Sequence, residues 1–230
     1  MKLKKIASLM LAGIMAVSML TACGGNTINN GGEGEGEGEG TTASGYSVTF
    51  GEKVEKLSSK VKGMDNVTFA DNAADQAALA DALNNAGAFE ILAGTMSSTV
   101  SQAKDIPSAI QADFEDAAKL NRYGIANKDS KVFNGTDTIN RTTKVGSVYY
   151  VDGTVAMDKV LNQLAERLDS CFETLQKDST EAGANSNGVT YDFNYTISVS
   201  VVNKTSDVID WYNGSANVIA VTVTRTATAG

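Results

Sequence analysis

The sequence predicts an α+β domain in which several helices pack on one face of an antiparallel sheet. Three stretches carry that expectation. VTYDFNYTISVSV, residues 189–201, places Val, Tyr, Phe, Tyr, Ile, Val and Val at odd positions and Thr, Asp, Asn, Thr, Ser and Ser at even ones, the period of two of a strand with one buried face. Residues 217–228 alternate in the same way, with Ile219, Val221 and Val223 against Thr222, Thr224 and Thr226. Between 154 and 177, Met157, Leu161, Leu164, Leu168, Cys171, Phe172 and Leu175 recur at helical spacing and form one apolar stripe. A sheet with one apolar face and helices with apolar stripes bury each other, which gives the α+β class.

The other elements follow in chain order. Residues 46–50 read as a short strand, after which Val54, Leu57, Val61 and Met64 mark one face of a helix. Residues 66–69 read as another strand. Asp71 is placed to cap a helix whose inner face is Leu79, Ala82, Leu83 and Ala86 and which Gly87 ends. A further helix carries Phe89, Leu92, Met96 and Val100. Pro107, the only proline, suits the first position of the next one, with Ile110, Phe114, Ala117 and Leu120 inward and Gly124 closing it. Residues 125–144 are polar, and 144–151 read as the strand that precedes the long helix. Asn213-Gly214 is a two-residue hairpin signal that turns residues 208–212 back into the last strand.

The first 45 residues have a different character. Lys2, Lys4 and Lys5 precede an uncharged apolar run of 17 residues, 6–22, which is the layout of a secretory signal. That run is at the lower limit for spanning a hydrocarbon layer of roughly 30 Å, and no Lys or Arg follows it as a stop-transfer signal. Leu20-Thr21-Ala22-Cys23 resembles the lipobox of bacterial lipoproteins. The resemblance covers the signal segment only. It implies cleavage between Ala22 and Cys23, a diacylglyceryl group on the Cys23 thiol, and a lipid anchor at the extracytoplasmic face of the cell membrane. At about 0.8 kcal/mol per buried methylene, one acyl chain binds reversibly whereas two hold a protein in place.

Beyond Cys23 comes a Gly/Asn/Thr run and a Gly-Glu alternation with acids at Glu33, Glu35, Glu37 and Glu39. So few apolar groups cannot offset the entropy of ordering, and as a flexible stalk the segment spans roughly 26 Å. The expected organisation is a signal peptide over 1–22, a lipidated cysteine and stalk over 23–45, and an α+β domain over 46–230.

Composition narrows the chemistry. The formal charge is -8, and loss of Lys2, Lys4 and Lys5 with the signal takes it to -11, which speaks against nucleic acid as a partner. Histidine is absent, and with it the commonest general base and the commonest metal ligand. With Cys23 committed to lipid, no disulfide is expected, and Cys171 on the long helix's apolar stripe reads as a packing thiol. No cofactor or metal is expected: there is no Cys/His set, and Lys128 and Lys131 stand where a calcium loop needs oxygen. Ser59 with Lys62 and Ser101 with Lys104 match the Ser-x-x-Lys of penicillin-recognising enzymes, but the Ser-x-Asn and Lys-Thr-Gly elements are missing. No catalytic residue is assigned.

Two features suit binding. Trp211, Tyr212 and Asn213 gather the only Trp, a second aromatic and an amide at the expected hairpin tip, able to stack on a sugar ring and bond its hydroxyls; the alternative is that one ring packs beneath the turn. Thr190, Asn194, Thr196, Ser198, Ser200, Thr222, Thr224 and Thr226 give the sheet a neutral polar face, punctuated by Asp192 and Arg225, which is either a contact surface or plain solvated strand. The reading is a membrane-anchored extracytoplasmic lipoprotein acting as a non-catalytic binding or surface-interaction module for an envelope or extracellular glycan or protein. One alternative is an envelope hydrolase using paired carboxylates, which needs no histidine. The other is a surface assembly subunit using strand addition through the last strand, if that strand lies at an edge.

Overall fold

A computed structural model describes residues 45–85, 97–102, 108–125, 131–133, 138–180, 188–205 and 215–230. Its elements are α1 (Ser47–Leu57), α2 (Ser59–Lys62), β1 (Val67–Phe69), α3 (Ala73–Asn85), β2 (Ser101–Gln102), α4 (Ser108–Ala117), β3 (Arg122–Tyr123), β4 (Thr143–Asp152), α5 (Met157–Phe172), β5 (Asp178–Thr180), β6 (Thr190–Thr205) and β7 (Ser215–Ala229). The chain is an α+β domain built on one mostly antiparallel sheet. β7 lies in its middle, paired with β6 from Tyr191–Ala229 to Thr205–Ser215 and with β4 from Thr143–Arg225 to Asp152–Ala216. Short strands line the outsides: β1, parallel, and β5, antiparallel, along β6, and β3, parallel, and β2, antiparallel, along β4. No helix among the described residues is long and apolar enough to cross a membrane.

The expected helical cover is present on one face. α1 and α5 bring Phe50, Val54, Leu161, Leu164, Leu168 and Phe172 onto the odd-numbered residues of the strands, among them Tyr149, Phe193, Ile197, Val199 and Val221. Cys171 is fully buried among them. The layering departs from the expectation on the other face, where α3 and α4 form a second core with Leu79, Leu83, Ile110 and Phe114 against Val148, Tyr150, Val218 and Ala220. The cause is local to the sequence: β4 and the first half of β7 are apolar at both parities, so their second face also has to leave water.

Several local expectations are corrected. Residues 47–50 open a helix and not a strand, because Ser47, Phe50, Gly51 and Val54 fall on one buried helical face. Ser58 interrupts the stripe that was expected to run to Met64; its hydroxyl accepts from Val61 N at 3.2 Å and caps α2, leaving Leu57 49% exposed. Asn72, one residue past Asp71, caps α3 by accepting from Ala74 N and Asp75 N. Ala118, not Ala117, faces the core beyond α4, and Val100 is buried in a non-helical segment just ahead of β2. The long helix is confined to Met157–Phe172. Residues 86–96 and Pro107 lie outside the described residues. Thr205 faces Ser215, whereas a two-residue turn at Asn213-Gly214 would have put Tyr212 there.

Candidate functional site

Cys23, Trp211, Tyr212 and Asn213 lie outside the described residues. The polar sheet face is described, and the structure divides it in two.

Ser198, Ser200 and Thr222 are buried beneath α3, so these three positions belong to the core and not to a surface. Asp75, in the first turn of α3 and itself fully buried, is the hub. Its Oδ2 accepts from Ser198 Oγ at 3.0 Å and from Thr222 Oγ1 at 2.6 Å. Its Oδ1 accepts from Lys144 Nζ, which also donates to the Ala118 carbonyl at 2.9 Å. The carboxylate is tolerated in the interior because both oxygens are bonded and a cation neutralises it.

The remainder of the face is open. Thr190, Asn194, Thr196 and Thr226 are exposed and Thr224 is half-buried. Register places Asn194 opposite Thr226 and Thr196 opposite Thr224, with exposed Thr68 of β1 opposite Thr196 on the other side. The result is a rigid array of hydroxyls and amides spaced about 4.8 Å between strands and roughly 6.7 Å along them. Asp192 faces Thr228 on β7 and Asp178 on β5, which places two exposed carboxylates at one end of the face. Arg225, expected to punctuate this face, is instead buried on the opposite side between the Phe133 and Phe193 rings, at 4.7 and 4.6 Å from their centroids. Its odd position in β7 is the physical reason. Nearby, burial pushes the Tyr195 phenol up to about 12, against the opposing pull of Arg225's charge, and its hydroxyl donates to the Gln176 carbonyl at 2.9 Å.

The outer edges of the sheet bear on strand addition. β7 is central, so the last strand offers no edge. Along β6, beyond β1, the Val199 amide donates to Ser47 Oγ at 2.9 Å, and the Gln76 amide bonds both Val201 N and Val201 O, at 3.0 and 2.8 Å. Along β4, Asn121 accepts from Lys144 N through its side-chain Oδ1 at 2.7 Å and donates to Lys144 O through its own backbone N–H at 2.8 Å, and Asp152 N donates to Ser97 O at 2.9 Å. Side chains and neighbouring backbone thus occupy bonding positions on Val199, Val201, Lys144 and Asp152 that an added strand would need there.

The other chemical candidates disperse. Asp169 and Glu173, the neighbouring acids at the end of the long helix that a paired-carboxylate hydrolase could use, are engaged separately: Glu173 accepts from Ser58 Oγ and Asp169 Oδ1 from the Ser170 amide, each at 2.6 Å. Ser59 and Lys62 are exposed on the short α2, Ser101 lies on β2, and Lys104 is outside the described residues. Among the described residues no group of three Asp, Glu or Cys side chains could hold a metal ion. An open hollow of about 600 Å³ is lined by Ala112, Glu115, Asp116, Lys119 and Leu120, all from α4 and the turn that follows it. The Asp75 hub had no sequence signal, since its partners stand 69, 123 and 147 residues away. Comparison with protein-family models, with curated proteins and with solved structures finds no match to this chain.

Proposed function

We propose that the chain is a lipoprotein held through Cys23 at the extracytoplasmic face of the cell membrane, and that its α+β domain is a non-catalytic binding module. The contact surface is the open half of the polar sheet face, with the segment carrying Trp211, Tyr212 and Asn213 as a second element. The observation that carries the reading is the exposed, register-matched array of Thr68, Asn194, Thr196 and Thr226. Neutral hydroxyls and amides lose water at lower cost than charges, and β-branched threonines fixed on a sheet have little rotamer freedom to lose on binding. The partner class is an envelope or extracellular glycan, or a protein presenting polar groups.

The test is the double substitution Thr196→Lys and Thr226→Lys, which lays two long charged side chains over the array. As exposed changes they should move stability by no more than about 0.5 kcal/mol. Retention on envelope material from the parent cell should fall at least about tenfold, or roughly 1.4 kcal/mol; unchanged retention with an unchanged melt rejects this face. Separately, Cys23→Ser should leave the protein unlipidated, released or held as precursor. Membrane retention at the normal processed mass would reject the anchor.

A further inference from the structure

We propose that Lys144 and Asp75 become joined by an amide bond, a cross-link between β4 and the first turn of α3 that is independent of the binding surface. Lys144 Nζ lies against Asp75 Oδ1, and the two side chains are 16% and 1% exposed. They come from positions 69 residues apart, so the fold has already met the entropy of bringing them together, the condition under which a slow condensation becomes effectively unimolecular.

The surroundings fit the step. The ammonium passes one proton to Oδ1, leaving a neutral amine and a neutral acid. The amine nitrogen attacks Cγ and forms the C–N bond. Negative charge then develops on Oδ2, the oxygen to which Ser198 Oγ and Thr222 Oγ1 already donate, at 3.0 and 2.6 Å; donors fixed where charge appears are the arrangement that lowers such barriers. A second proton moves from nitrogen to Oδ1, the Cγ–Oδ1 bond breaks, and one water leaves. Nζ keeps one hydrogen, which remains available to the Ala118 carbonyl, 2.9 Å away. Atoms and charge balance with no oxidant or co-reactant. The product replaces a buried ion pair, which is costly to desolvate, with a neutral amide. It also supplies a covalent tie in a chain whose two cysteines include one committed to lipid on the reading above.

The experiment is peptide mapping of the full chain after denaturation and proteolysis. The expected result is a branched peptide joining the segments that contain Asp75 and Lys144, lighter by one water than their sum, together with loss of cleavage after Lys144. Lys144→Arg should abolish the branched species. Recovery of both linear peptides at full mass from the unsubstituted protein, with Lys144 acylated by an amine-directed reagent after unfolding, overturns the proposal. So does a branched peptide that joins a different pair. Because the decisive measurement uses the unsubstituted chain, the proposal stays testable even if Lys144→Arg does not fold.

Discussion

Replacing Ser47 by alanine tests whether the outer edge of β6 is closed from within the molecule. Ser47 is fully buried and Val199 is 1% exposed. The hydroxyl accepts the Val199 amide at 2.9 Å and donates to Asp71 Oδ1 at 2.6 Å. Alanine leaves the Val199 N–H buried without its acceptor, at a cost of about 1–3 kcal/mol. Asp71 is exposed, so water takes over there at little cost. Alanine is the better helix former by several tenths of a kcal/mol, and the net loss is about 1–2 kcal/mol. In a domain of this size that lowers the Tm by roughly 2–8 °C. The urea midpoint should fall at unchanged slope, and hydrogen exchange at the Val199 amide should accelerate. A change within about 0.5 kcal/mol, as at an ordinary surface site, with the Val199 amide still protected, would refute the claim that this hydroxyl closes the edge.

Gly51→Ala sets two effects against each other. Its Cβ would stand 2.5 to 2.8 Å from Phe69 atoms, in a ring packed edge-on against Phe50 and Phe172. Overpacking of about 1–3 kcal/mol exceeds the gain of about 1 kcal/mol in helix propensity, so the Tm should fall; a rise would show that Phe69 yields. Lys119→Gly should raise stability by up to about 1 kcal/mol in urea melts, because Lys119 holds φ 55 at the close of α4, where Leu120 N bonds Glu115 O and Lys119 N bonds Asp116 O. Tyr195 ionises near 12 in the folded chain, above the ordinary value of 10. A raised pKa means that its contribution is whole below pH 10 and is lost as pH climbs through 12. Phenolate absorbance should show a late-ionising tyrosine that disappears in Tyr195→Phe.

Where burial follows a single period, the chain is legible. β6, the C-terminal half of β7 and α5 were evident because each has one wet and one dry side. The start of α1 was not: Val48 and Thr49 favour strand locally, and what makes a helix of them is the packing of Phe50 and Val54 against α5. The second helical layer was hidden for another reason. Ser198 and Thr222 look like solvent-facing residues, and their burial depends on a carboxylate remote in sequence, itself bonded to Lys144, that accepts from both hydroxyls. Of the polar face the parity of the threonines was legible, but its division into covered and open halves was not, and Arg225 fell on the opposite side.

That division follows from lengths. β6 has 16 residues and runs roughly 53 Å at about 3.3 Å per residue, whereas α3 with 13 residues is only about 20 Å long. β6 outruns α3, the helix packed on it, and Thr190, Asn194 and Thr196 lie exposed on the same face. An ordinary solvated surface carries interspersed charges of both signs. Here Ser47, Gln76 and Asn121 engage the outer sides of β6 and β4, while the open face, apart from Asp192 at one end, carries neutral threonine and asparagine. An open face so poor in charge supports the contact proposed through it, and the central place of β7 leaves the last strand no edge for strand addition.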